Sequence, residues 1–154
     1  MPVRILIVDD EESIRVSFTA LLSDEGYHTN SAATAEEAVR LCLGGAFDLI
    51  LLDLQLPDRH GLDLLESLKE DPASPAVLVI SGQADIPDAL RAVRLGAVDF
   101  LEKPVPPEKL LSSVAAALAL ASAERQRRIV LNEIDEQCRI VGDSPAVRKL
   151  LGAI

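Results

Sequence analysis

Tryptophan is absent and aromatic residues make up only 3% of the 154-residue chain. That leaves too few rings to stack on unpaired bases, which argues against single-stranded nucleic-acid binding as the main function. Positive charge is also scarce. Fifteen Lys/Arg face 25 Asp/Glu, for a formal net charge of -10, a balance that repels phosphate backbones and anionic membranes. The two cysteines, Cys42 and Cys138, have no metal or redox spacing and form no disulfide framework. They read as buried or half-buried thiols in a reducing compartment. No basic segment leads into an apolar stretch at the start, and no apolar run approaches membrane length. The expected location is the cytoplasm, without a membrane partner.

What is present is an ordinary globular composition, 49% hydrophobic with 9 Pro and 8 Gly, enough for one packed domain and an extension. The charge is uneven: residues 1–105 hold 8 Lys/Arg against 19 Asp/Glu, and residues 106–154 hold 7 against 6. The shift places a boundary near Pro104–Pro107.

The central feature is Leu49-Ile50-Leu51-Leu52, an apolar run of strand length that delivers Asp53 at its end. A run without polar alternation suits a parallel strand covered on both faces. Four further strands are expected: Arg4–Val8, the more polar Tyr27–Ala32, Ala76–Ile80 and Val98–Glu102. Helices fall between them. Gly26 suits a helix C-terminus, Thr34 with Glu37 forms a capping box, and Pro87 sits in a first helical turn. Alternation with short connections predicts a doubly wound five-stranded parallel α/β sheet.

In such a sheet, chemistry gathers beyond the carboxyl ends of the strands. Those ends carry Asp9 and Asp10, Asp53, Ser81 and Lys103. Clustered carboxylates repel one another, and a hard divalent cation that keeps several waters, Mg²⁺, relieves that repulsion. A lysine and a hydroxyl beside cation and carboxylate make a site for a phosphoryl group, with Asp53 as nucleophile. Each element has a blander reading. Asp9-Asp10-Glu11-Glu12 also suits a solvated helix start, and Ser81-Gly82 and Lys103-Pro104 also suit turns. Their joint occurrence at four of five strand ends favours the site. His28 and His60 read as solvated surface residues.

These residues together resemble the response-regulator receiver domain of bacterial two-component signalling, over Val3 to about Leu120. The resemblance implies the strand order 2-1-3-4-5 and Asp53 as phosphoacceptor. It implies Mg²⁺ held by Asp10, by Asp9 mainly through water, by Asp53 and by the backbone carbonyl of Gln55. Lys103 would pair with phosphoryl oxygens and precede a cis Pro104, and Ser81 and Phe100 would form a switch pair. Gln55 and Gln83 fall where the family tunes hydrolysis lifetime. The implied partner is a sensor histidine kinase. Only self-phosphotransfer and autodephosphorylation are expected, and no other enzyme activity. A haloacid-dehalogenase-type phosphatase also uses an Asp nucleophile and Mg²⁺, but wants a second Asp where Gln55 stands. A phosphorylation-independent dimerisation module is the alternative.

Residues 1–106 are expected to form the receiver core. The last helix is then expected to continue as a linker through residues 107–138, free of Gly and Pro from Glu108 to Glu136 and about 40 Å long at about 1.5 Å per residue. Leu110, Ala117, Leu120, Leu131, Ile134 and Cys138 fit a heptad frame, whereas Glu124 and Arg127 break it, so the linker is a candidate coiled coil and homodimer contact. Arg139 to Leu151 resembles the opening of the AAA+ domain of NtrC/NtrX-type, sigma-54-dependent activators, with residues 139–154 its incomplete start. No Gly-x-x-x-x-Gly-Lys-Ser/Thr loop and no helix-turn-helix is present, so direct ATP or DNA binding by this chain is not expected.

Overall fold

A computed structural model of the chain describes residues 2–71, 73–82 and 86–140, with the backbone alone for residues 125 and 127–140. Five strands alternate with five helices: β1 (Arg4–Val8), α1 (Glu12–Asp24), β2 (His28–Ala32), α2 (Ala35–Gly44), β3 (Leu49–Leu52), α3 (Gly61–Lys69), β4 (Ala76–Ser81), α4 (Ile86–Arg94), β5 (Asp99–Glu102) and α5 (Pro107–Ile140). The strands form one parallel sheet, as the strand pattern predicts, in the order β2-β1-β3-β4-β5 that the resemblance implies. The described residues contain no helix long and apolar enough to cross a membrane.

The period-2 alternation of a strand sends successive side chains to opposite faces, and the central strands use both. Leu6, Val8, Ile50, Leu52, Val77 and Val79 pack with Ala35, Ala38, Leu62, Leu64, Leu65 and Ala92 of α2, α3 and α4. Ile5, Ile7, Leu49, Leu51, Leu78 and Ile80 pack with Phe18, Leu22, Leu110, Val114 and Ala117 of α1 and α5. Each fully buried aliphatic side chain of these layers contributes about 1.5–3 kcal/mol by leaving water. β2, at the edge, has only Ala32 buried, which is why its sequence alone among the strands is mostly polar.

The ends of the helices follow the local chemistry. Gly26 follows α1 with φ +88°, a conformation open to Gly at little cost. The Thr34 side chain accepts the Glu37 N–H at 3.1 Å, while the Glu37 carboxylate reaches back to the Ala33 N–H, one residue before the cap.

The chain divides into two units, Met1–Ala119 and Leu120–Ile154. In the first, Leu110 and Ala117 belong to the core against the sheet, so the first two positions of the heptad frame are taken up within that unit. In the second, the backbone is helical to Ile140. The heptad residues Leu131, Ile134 and Cys138 lie where side chains are not described, and most of the expected AAA+ opening, residues 141–154, lies outside the described residues, as does Gln83.

Candidate functional site

Register brings the acids together. Val8 aligns with Leu52 across β1 and β3, so the next residues, Asp9 and Asp53, leave adjacent strands at the same level. Backbone bonds hold them there: Asp9 N–H donates to the Ala32 carbonyl at 3.0 Å and Asp53 N–H to the Val8 carbonyl at 2.9 Å. On the far side, Ser81 aligns with Glu102 across β4 and β5, and Lys103 N–H donates to the Ser81 carbonyl at 2.9 Å. The Lys103–Pro104 bond is cis.

Asp9 and Asp53 are buried, 3% and 5% exposed, a costly position for carboxylates without a counter-charge. Lys103 supplies it. Its Nζ lies 2.7 Å from Asp9 Oδ2 and 3.1 Å from Asp53 Oδ2, with Glu11 Oε1 at 3.9 Å. The other oxygens of the two acids accept backbone N–H groups, Glu11 on Asp9 at 2.9 Å and Gln55 on Asp53 at 3.1 Å. Burial is the largest influence on the Asp53 carboxyl and, with the nearby Asp9 charge, holds its pKa above the ordinary value; the Gln55 N–H and Lys103 pull the other way. For Lys103, burial alone would lower the pKa, but the hydrogen bonds and charges of Asp9 and Asp53 together outweigh it and raise it.

Asp10 is exposed, and it offers a carboxylate oxygen that lies with one from Asp9 and one from Asp53 within a mutual 4.8 Å. An all-oxygen donor set, half-open to water, fits a hard divalent cation such as Mg²⁺ and would not select a soft metal. Ser81 is the last residue of β4, not the first residue after it, and its hydroxyl is buried with no hydrogen-bond partner. A buried hydroxyl is normally satisfied. Ser81 closes the strand that pairs with β3, whose own end carries Asp53. Phe100 aligns with Val79 and is partly buried against the layer of α2, α3 and α4.

The loop from β3 to α3 carries functions that the sequence did not reveal. His60, expected to be only solvated, caps α3 by accepting the Leu62 N–H on Nδ1 at 3.1 Å. Gly61 N–H donates to the Leu54 carbonyl at 2.7 Å, and a Cβ at Gly61 would lie 2.5 Å from the Asp53 carbonyl oxygen and from Leu54 Cα; only glycine lets α3 start this close to the site. Asp58 accepts the Ala35 and Glu36 N–H groups at the start of α2, at 2.9 and 3.0 Å, which lowers its carboxyl pKa. Arg15 of α1 donates to the Asp9 carbonyl at 2.7 Å. His60 is not one of the residue types that favour a helix N-cap, so its place before α3 gave no signal. Asp58 and its partners, more than 20 residues apart in sequence, carry no local signal either.

A family model for the response regulator receiver domain matches residues 5–115. Among curated relatives, the alginate biosynthesis transcriptional regulatory protein AlgB of Pseudomonas aeruginosa is 35% identical over 153 residues, covering 96% of this chain and 33% of AlgB. The crystal structure of NtrX from Brucella abortus in complex with ADP is 34% identical with a TM-score of 0.78, covering 99% of this chain and 33% of NtrX. The solution structure of the beryllofluoride-activated NtrC4 receiver domain dimer is 38% identical with a TM-score of 0.73, covering 77% of this chain and 98% of that one. The chain thus spans about a third of the length of the curated relatives AlgB and PilR.

Proposed function

The chain belongs to the response regulator receiver domain family, and from that premise we propose that it accepts a phosphoryl group on Asp53 from a sensor histidine kinase and passes the change of state to a transcription regulator. The observation that carries this reading is the buried Asp9–Lys103–Asp53 arrangement beside the vacant Ser81 hydroxyl. An Asp53 carboxylate oxygen forms a bond to phosphorus while the phosphorus–nitrogen bond of the donor imidazole breaks, its electron pair staying on the ring nitrogen. The Gln55 N–H on Oδ1 fixes the carboxylate. The Lys103 ammonium moves its charge onto a phosphoryl oxygen, and Ser81 donates to another. Asp9, Asp10 and Asp53, with the Gln55 peptide carbonyl, would hold Mg²⁺, which when bound supplies the remaining neutralisation of the phosphoryl oxygens.

The new charge then biases a two-state arrangement that involves Ser81, Phe100 and α4. The transcriptional regulatory role of AlgB and the ADP held by the Brucella abortus NtrX support an AAA+, sigma-54-dependent activator as the regulated activity, with nucleotide and DNA binding placed outside the receiver. The NtrC4 receiver dimer supports pairing with a second copy as the output.

The deciding experiment is incubation of wild type and Asp53→Asn with acetyl phosphate and Mg²⁺, followed by intact-protein mass spectrometry. One phosphoryl group on the wild type alone is expected, and none when the metal is chelated before the donor is added. Absence of any adduct on the wild type would sink phosphotransfer and favour a dimerisation module that works without it.

A further inference from the structure

The loop between β3 and α3 is tied down more heavily than a surface connection needs. At its base, the Gln55 N–H bonds Asp53 Oδ1, and Gln55 and His60 form an isolated antiparallel bridge. Toward α3, Arg59 donates to the Asp63 carbonyl at 3.2 Å and to Ser67 Oγ at 2.6 Å. Toward α2, the Asp58 carboxylate takes two N–H groups, one on each oxygen. That helix already has its own cap in Thr34, which serves the Glu37 N–H. Asp58 therefore links the loop to a second element, and the loop is the segment that presents both the N–H fixing Asp53 and the Gln55 carbonyl.

We propose that Asp58 is a positioning residue for the acidic site: its carboxylate clamps the β3–α3 loop onto the start of α2, and through Gln55 this holds Asp53 and the metal-binding oxygens in register. The inference rests on the metal-dependent phosphoacceptor reading. Charge-assisted bonds from a carboxylate to helix N–H groups are among the stronger hydrogen bonds, and the positive end of the helix favours the same charge. The clamp is absent from the site itself, so it acts only through the geometry of the loop. Residues one step behind a metal ligand typically change affinity by about 10- to 100-fold. With a single link through the peptide chain, the lower end, about tenfold, is expected here.

The test compares Asp58→Ala, Asp58→Asn and Thr34→Ala with the wild type. Thr34→Ala removes the ordinary cap of α2 and leaves the loop untouched, so it controls for loss of helix stability. Mg²⁺ affinity is measured by calorimetry, amide exchange is followed at Gln55 in metal-free protein, and the rate with acetyl phosphate is recorded against Mg²⁺ concentration. Asp58→Ala is expected to weaken Mg²⁺ binding about tenfold, to speed exchange at Gln55, and to regain the wild-type rate at saturating Mg²⁺. Asp58→Asn, which keeps one acceptor, falls between, and Thr34→Ala binds Mg²⁺ like the wild type. Equal Mg²⁺ affinity in Asp58→Ala and Thr34→Ala would reduce Asp58 to a helix cap and overturn the proposal. If the wild type binds Mg²⁺ but takes no phosphoryl group, the phosphoacceptor reading fails while the affinities still decide the role of Asp58. A wild type that binds no Mg²⁺ overturns both.

Discussion

Two successive strand–helix units, β3–α3 and β4–α4, are built to the same length of helix and held very differently. α3 and α4 have nine residues each. α3 buries Gly61, Leu62, Leu64 and Leu65, whereas α4 buries only Ala92 and leaves Ile86, Leu90 and Val93 exposed. The strand ends differ in the same sense. Asp53 has both carboxylate oxygens engaged, by Gln55 and Lys103, and Ser81 has its hydroxyl unengaged. An ion pair that joins the two helices, Arg91 with Glu66 at 3.9 Å, is exposed on both sides and contributes little. Local stability follows buried apolar contact. The first unit is thus the more firmly held, with Asp53 at its strand end, and under the proposed function the second is the part whose position a new charge would change at small cost.

The sharpest way to break this contrast is a pair of truncations. Leu65→Ala removes a fully buried side chain and is expected to lower the unfolding free energy by about 2–5 kcal/mol. Leu90→Ala, 53% exposed, should change it by no more than about 0.5 kcal/mol. Urea denaturation measures both, and similar losses would mean that α4 is as firmly packed as α3.

A second probe is read as a slope. The Asp53 carboxyl is raised in the folded state, chiefly by burial, so between the unfolded and folded pKa values the native protein binds more protons than the unfolded chain. Its contribution therefore falls as pH rises from the ordinary carboxylate range through the folded value, and it stays unfavourable above. Asp53→Asn is expected to be more stable than the wild type at neutral pH, with the difference shrinking as pH is lowered. Melting temperatures of both proteins across the acid range give the answer, and a constant difference would remove burial of the charge as its cause.

A third probe lies at the strand end of the second unit. Ser81→Ala removes a hydroxyl that makes no bond, so stability should hold or rise by up to about 1 kcal/mol, while phosphorylation by acetyl phosphate slows by about tenfold or more. An unchanged rate would show that the hydroxyl donates nothing to the phosphoryl group.

Much of this was legible in the chain. Leu49–Leu52 is apolar because β3 is covered on both faces, and its bounds in the structure match that run. The acids and the lysine follow their strands directly, so the strand pattern located them. His60 and Asp58 were not legible as anchors, since a polar residue in a Pro- and Gly-bounded loop looks the same whether it faces water or caps a helix. The displacement of the Glu37 carboxylate from the Thr34 N–H to that of Ala33 likewise depends on how the chain enters α2.

By itself, then, the sequence determined the alternation of elements, the two faces of each central strand and the residues at the strand ends, because these depend on side-chain period and local turn chemistry. Only the tertiary structure decided that Lys103 bridges Asp9 and Asp53 across 94 and 50 residues, that Ser81 is left without a partner, and that Asp58 binds the start of α2. Those outcomes depend on strand order and register, which place distant backbone and side-chain groups within hydrogen-bond reach, and no local pattern encodes which of them will meet.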